Sequence, residues 1–228
     1  MSDRQLSKIA TVDDDGGARE TMAEKIHDLF NAEPVLVDEK KLSPDRLLQI
    51  MTENGIEAAI VDSKLSVGGY SQFDGIDFVA DLTGRKIPAV LASSYPPRDK
   101  LIWHGRDIPA VVEKGNLGSS LVDAMQSAVA RSYDFFTPET KPETTIVRIT
   151  ALDDDDDEVG LIIPAFSPTK FLLVGREELK KRLGRDLIEG LRFFAEVNIG
   201  AKSVDGLYLS NLSEAPELED KYAKLLRS

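Results

Sequence analysis

The chain has 228 residues, enough for one large domain or two small ones, and a formal net charge of −12. Apolar residues make up 42%, so a core can form, while the absence of cysteine and the presence of only two histidines, His27 and His104, exclude disulfide frameworks, thiolate metal sites and histidine-rich metal centres. The acidity removes most of the phosphate-neutralising term that drives nucleic-acid binding, so nucleic acid is not an expected partner.

The apolar run Lys8–Val12 ends in three aspartates and reads as a buried strand. Helical spacing follows over Gly16–Phe30, through Met22, Ile26, Leu29 and Phe30. Pro34–Val37 reads as a second strand. Ser43-Pro44 opens a helix as N-cap and first residue, and Gly55 ends it. Ala58–Val61 is a third apolar run, closed by Asp62. A helix over Gly75–Thr83, a strand at Pro88–Ala92, a helix over Arg98–Gly105, a strand at Ala110–Val112 and a helix over Leu121–Tyr133 complete the first half. Five short apolar strands alternating with five helices predict an α/β fold with a parallel, doubly wound sheet.

After Phe135–Thr145, a proline-containing linker, the pattern changes. Thr145–Leu152, Val159–Ile163, Lys170–Val174, Arg192–Asn198 and Gly206–Leu209 read as strands, with one helix over Glu177–Leu191. The expected layout is an α/β domain over 5–134, a linker over 135–145 and a small β-rich α+β domain over 146–228.

In a parallel sheet of this kind, reactive groups gather at the carboxyl ends of the strands. Those ends carry Asp13-Asp14-Asp15, Asp62, Ser93-Ser94 and Lys114. Phosphoryl transfer onto a carboxylate needs a nucleophilic carboxylate, a divalent cation and a positive side chain, and this set supplies the protein's share of them. Magnesium prefers a few carboxylates with waters and phosphate oxygens. Lys114 reaches phosphoryl oxygens as a point charge, and the Ser93 hydroxyl can hydrogen-bond a phosphoryl group.

In order and spacing these residues resemble the receiver domain of two-component response regulators, a flavodoxin-like fold. The carriers are Lys8-Ile-Ala-Thr-Val-Asp13-Asp14, Ala59-Ile-Val-Asp62, Asp74-Gly75-Ile-Asp77, Ile87-Pro88-Ala-Val-Leu-Ala-Ser93 and Val111-Val112-Glu113-Lys114. The resemblance implies Asp62 as phosphoacceptor, Mg²⁺ held by Asp13, Asp14, Asp62 and the backbone carbonyl of Lys64, Lys114 on the phosphoryl group, and Ser93 as switch hydroxyl. It implies a histidine kinase or phosphotransfer protein as donor, and a signalling switch rather than a metabolic enzyme. Four features depart from the family pattern. The segment from Asp62 to Asp74-Gly75 is longer, through Ser66–Ser71. The methionine-proline after the acceptor is absent. Gly115 replaces the proline after the lysine, and Val111 occupies the aromatic switch position.

Other readings are weaker. A haloacid-dehalogenase phosphatase needs a second aspartate where Lys64 stands. The acidic run Asp153–Glu158 lacks the glycine and spacing of a calcium loop and reads as a solvated hairpin tip. Arg176, Lys180, Lys181, Arg182, Arg185 and Arg192 are interleaved with Glu177, Glu178, Asp186 and Glu189, as on a salt-bridged exposed helix. Trp103 and Phe135-Phe136 read as packing residues. Residues 138–228 hold 13 basic and 18 acidic side chains without a helix-turn-helix pair, so the expected output is contact with a protein partner, a homodimer staying open. A receiver-like scaffold without phosphate cycling is the alternative. The longest apolar runs are too short for a bilayer and Met1–Gln5 shows no signal-peptide pattern, so a cytoplasmic protein is expected.

Overall fold

The computed structural model describes residues 6–65, 69–115, 117–153 and 157–216. The chain divides into two compact units, Met1–Thr137 and Pro138–Ser228.

The first unit alternates β1 (Lys8–Val12), α1 (Gly16–Phe30), β2 (Glu33–Leu36), α2 (Pro44–Asn54), β3 (Ala58–Asp62), α3 (Gly75–Gly84), β4 (Ala89–Ser93), α4 (Arg98–His104), β5 (Val111–Glu113) and α5 (Ser119–Ser132). The strands are all parallel, in the order β2-β1-β3-β4-β5. That is the flavodoxin-like doubly wound arrangement, with its switch point between β1 and β3. Local chemistry sets the helix ends. Asp15 caps α1 by accepting from the Ala18 N–H, and Ser43 caps α2 by accepting from the Arg46 N–H ahead of Pro44. Gly55 closes α2 in the left-handed conformation, at φ 64°.

Side-chain alternation along the strands feeds two cores. Ala10, Val12, Ala59, Val61, Ala89 and Leu91 pack on one face with α2 and α3 residues such as Leu47, Phe78 and Leu82. Ile9, Ala58, Ile60, Val90, Ala92 and Val112 pack on the other, with Ile26 of α1 and Leu121 of α5. The central strands β3 and β4 are buried along their whole length. The edge strand β2 is not: Leu36 is exposed, and Pro34 is tolerated because an edge leaves one side of the ladder unpaired.

The second unit is one antiparallel sheet, order β10-β9-β6-β7-β8, with one helix. Its elements are β6 (Glu143–Asp153), β7 (Glu158–Ile163), β8 (Ser167–Gly175), α6 (Arg176–Leu183), β9 (Arg192–Val197) and β10 (Leu209–Glu214). Val147, Ile149, Val159, Leu161, Leu172, Val174, Phe193, Ala195 and Val197 are buried, as is Leu179 of α6. Ile146, Phe171 and Leu173 alternate outward.

Four expectations are corrected here. The helix expected over Glu177–Leu191 stops at Leu183, because Gly184 adopts φ 67° and its N–H closes the last turn on the Lys180 carbonyl. The strand expected at Gly206–Leu209 is instead a 3₁₀ turn at Val204–Gly206 followed by β10. Phe135 is exposed, so packing is not its role in the unit, whereas Trp103 is buried and Phe136 lies under the Arg131 guanidinium at 3.5 Å. Strand β6 begins at Glu143, inside the stretch read as linker. The acidic run joins β6 to β7 with Asp153 opposite Glu158; Asp154–Asp156 lie outside the described residues.

Candidate functional site

The carboxyl ends of β1, β3, β4 and β5 bring the predicted residues together. Carboxylate oxygens of Asp13, Asp14 and Asp62 lie within 4.8 Å of one another. Lys114, one residue past β5, donates from Nζ to Asp13 Oδ2 at 2.6 Å and sits 2.8 Å from Asp62 Oδ1. Asp14, Asp62, Ser63, Lys64, Ser93, Ser94, Tyr95 and Lys114 line a cleft of about 240 Å³.

Backbone contacts aim these groups. The Lys64 N–H donates to Asp62 Oδ2 at 2.9 Å, which fixes the carboxylate plane while Oδ1 faces Lys114. The Lys114 N–H donates to the Ser93 carbonyl at 3.1 Å, extending the β4–β5 pairing by one rung and delivering the lysine to the site. The Asp15 N–H donates to Asp13 Oδ1 at 3.0 Å. Helix α3 is pinned beside Asp62 by the Gly75 N–H donating to the Ser63 carbonyl at 3.2 Å. A Cβ at Gly75 would stand 1.7 Å from the Asp62 carbonyl oxygen, so only glycine fits there.

Three carboxylates and one ammonium carry a formal charge of −2 when all are ionised. The Asp14 carboxyl is pushed above its ordinary range, first by burial and then by the neighbouring Asp13 and Asp62 charges. Burial works to lower the Lys114 ammonium, but its hydrogen bonds to Asp13 and Asp62 outweigh that and hold it above its ordinary value. The donor set is hard oxygen on two buried and one half-buried side chain, and it fits a small divalent cation. Asp13, Asp14 and Asp62 would hold such an ion, and Lys64 lines the same cleft.

Ser93 is buried at the end of β4. Its Oγ is 2.9 Å from the Ser63 Oγ and accepts from the Tyr95 N–H at 3.2 Å. Val111, at the position where the family resemblance places an aromatic switch, packs half-buried against the α3 side of the core. Tyr95, two residues on from Ser93, has a relative exposure of 85%.

Three participants escaped the sequence reading. Ser63 carries no sequence signal beyond adjacency to Asp62. Arg19 is buried and donates from Nη1 to the Asp13 carbonyl at 2.5 Å. A signal for it exists: Arg19 falls on the same helical stripe as Met22, Ala23 and Ile26, where an arginine needs a partner. Tyr70 lies under the Arg19 guanidinium, 5.4 Å from its carbon to the ring centre. His27 and His104 lie away from the lining of the cleft, and His27 is exposed beside Asp28.

No family model matches the chain, and no curated protein matches it. Solved structures do. The chain is similar to the signal receiver domain of an HD domain-containing protein from Pseudomonas fluorescens Pf-5, at 16% identity over 59% of this chain and 94% of that one, with a TM-score of 0.45. It is similar to NtrX from Brucella abortus in complex with ADP, at 18% identity and a TM-score of 0.45, over 56% of this chain and only 28% of that one. It is also similar to a CheY-like response regulator receiver domain from Methylobacillus flagellatus, at 23% identity over 54% of this chain and 98% of that one, with a TM-score of 0.41. The similarity lies in the N-terminal part of the chain.

Proposed function

We propose that the first unit is the receiver domain of a two-component response regulator and that Asp62 is its phosphoacceptor. The observation that carries this reading is the convergence of Asp13, Asp14 and Asp62 with Lys114 at the carboxyl ends of three strands of one parallel sheet.

The donor is a phosphohistidine on a histidine kinase or phosphotransfer protein. An Asp62 carboxylate oxygen attacks phosphorus, the P–N bond breaks, and the electron pair leaves with the imidazole, which takes up a proton. Asp13, Asp14, Asp62 and the Lys64 carbonyl would hold Mg²⁺, which when bound would supply charge neutralisation for the phosphoryl oxygens. Lys114, already turned toward Asp62, presents its ammonium to the same oxygens, so both the arriving charge and the acyl phosphate are stabilised. The Ser93 hydroxyl, paired with the Ser63 hydroxyl at 2.9 Å, then has a phosphoryl oxygen to donate to. The second unit reads out that state through contacts with a protein partner. The proposed switch is cytoplasmic; no helix among the described residues is long and apolar enough to cross a membrane.

The test is direct. The protein is incubated with Mg²⁺ and a small acyl-phosphate donor, and its intact mass is followed. A single added phosphate is expected, lost on chelation of the metal and lost in Asp62→Asn. No adduct with any small donor or phosphohistidine protein would remove the phosphoacceptor reading and leave a receiver-like scaffold.

A further inference from the structure

Arg19 is a charged side chain spent in the interior. Its side chain is only 10% exposed, yet its ion-pair partner among the described residues, Asp38 at 2.5 Å, is 78% exposed. An ion pair with so exposed a carboxylate contributes little and does not account for burying a guanidinium. The better account is the other fork of the guanidinium. Nη1 donates to the Asp13 carbonyl, and that carbonyl belongs to the peptide joining Asp13 to Asp14. Holding this peptide plane restrains the stretch of backbone from which the two carboxylates of the acidic pair project.

What holds Arg19 in turn is the segment that is longer than in the resembled family. Tyr70 is buried, with the Arg19 guanidinium over its ring. Its hydroxyl donates to the Val37 carbonyl at 2.6 Å, and burial raises that hydroxyl's pKa to about 12, so it stays a donor. The backbone around it is tied down independently. The Leu42 N–H donates to the Tyr70 carbonyl at 2.8 Å, Leu42 and Ser71 form a parallel bridge, and the Ser71 N–H donates to the Leu65 carbonyl at 3.1 Å. Tyr70 and Ser71 therefore lie against Val37 and Leu42, in the segment after β2, with the Tyr70 ring under Arg19, and the chain runs on from them to Gly75 beside Asp62.

We infer that Arg19 and Tyr70 form a clamp that positions the Asp13–Asp14 pair for a divalent cation, coupling the loop after Asp62 to the loop after β1 without passing through Lys114. Both are positioning residues. This rests on reading Asp13, Asp14 and Asp62 as the cation site.

Magnesium chloride alone is titrated into the full chain by calorimetry at fixed ionic strength, with circular dichroism as the check on folding. Removing groups that orient metal ligands costs about ten- to a hundredfold in affinity. Arg19→Met keeps the buried stem and loses the fork, and is expected to bind Mg²⁺ about tenfold more weakly. Tyr70→Leu, which loses the ring, is expected to weaken binding in the same direction and decides the matter if Arg19→Met does not fold. Tyr70→Phe and Asp38→Asn keep the ring and the Asp13 contact, and are expected within about twofold of the unmodified chain. A merely structural arginine would lower the unfolding midpoint equally with and without Mg²⁺; the clamp requires a larger loss with it. Absence of Mg²⁺ binding by the unmodified chain overturns the site and the clamp together. Binding by the unmodified chain, with Arg19→Met and Tyr70→Leu both unchanged, overturns the clamp alone.

Discussion

Asp14 is the residue at which the site's charge is felt most plainly. Burial and the carboxylates of Asp13 and Asp62 lift its pKa, against the pull of Lys114. A carboxyl whose pKa is higher folded than unfolded binds protons more tightly in the folded state. It therefore favours folding below the ordinary carboxylate range and loses that contribution as pH rises through the lifted value. At neutral pH without metal it is a net liability. Asp14→Asn should consequently raise the unfolding midpoint of the metal-free protein at pH 7, by about 0.5 kcal/mol for a partly solvated charge, and have no such effect near pH 3. It should also abolish the stabilisation that Mg²⁺ gives the unmodified chain. Urea titrations at the two pH values, with Mg²⁺ or a chelator, decide it; a destabilised Asn variant at pH 7 would contradict this charge balance. The convergence of Asp13, Asp14, Asp62 and Lys114 was legible in the sequence because each stands at the end of an apolar run, and strand ends converge in a parallel sheet. For Arg19 only the need of a partner was legible, from its place on the buried stripe of α1; that the partner is the Asp13 backbone carbonyl is encoded by no residue pattern.

The element that carries the acceptor depends on one close approach. Helix α3 starts so near β3 that a side chain at Gly75 would collide with the Asp62 carbonyl, and the Gly75 N–H is bonded to Ser63. Gly75→Ala must push α3 away from the strand or twist the Asp62–Ser63 peptide. The cost expected for such overpacking is roughly 1–3 kcal/mol. Because the Lys64 N–H aims the acceptor carboxylate, the variant should also slow phosphate uptake from a small donor beyond what its lost stability explains. Uptake at a temperature where the variant is fully folded separates the two effects, and normal uptake would show that α3 merely packs. Elsewhere the elements followed from local rules where strands were apolar and helices well capped. The α6 reading failed for a local reason: a charged stretch with helical spacing ran past Gly184, where left-handed backbone ends the helix. The edge of β10 failed because Gly206 belongs to a 3₁₀ turn held by the buried Asn198, whose side chain donates to the Gly206 carbonyl at 2.8 Å and accepts from the Tyr208 N–H at 2.8 Å.

On the scale of the whole molecule, each unit has a core of its own. The first is layered on both faces of a parallel sheet, and the second lies on one face of an antiparallel sheet around Val147, Leu161, Leu172 and Phe193. Units that each bury their own apolar surface can unfold as separate cooperative blocks. The candidate cation site is built from residues of the first alone. A ligand that binds one folded block stabilises that block by mass action, about 2.7 kcal/mol at a concentration one hundred times its dissociation constant. Calorimetry should then resolve two transitions, of which Mg²⁺ raises one. Phe193→Ala, which empties a fully buried site in β9, should lower the other by roughly 3–5 kcal/mol and leave the Mg²⁺-sensitive transition where it was. A single transition displaced by both perturbations would mean the two cores are energetically coupled. Phosphorylation at Asp62 would then reach the β-rich unit through folding free energy shared between them.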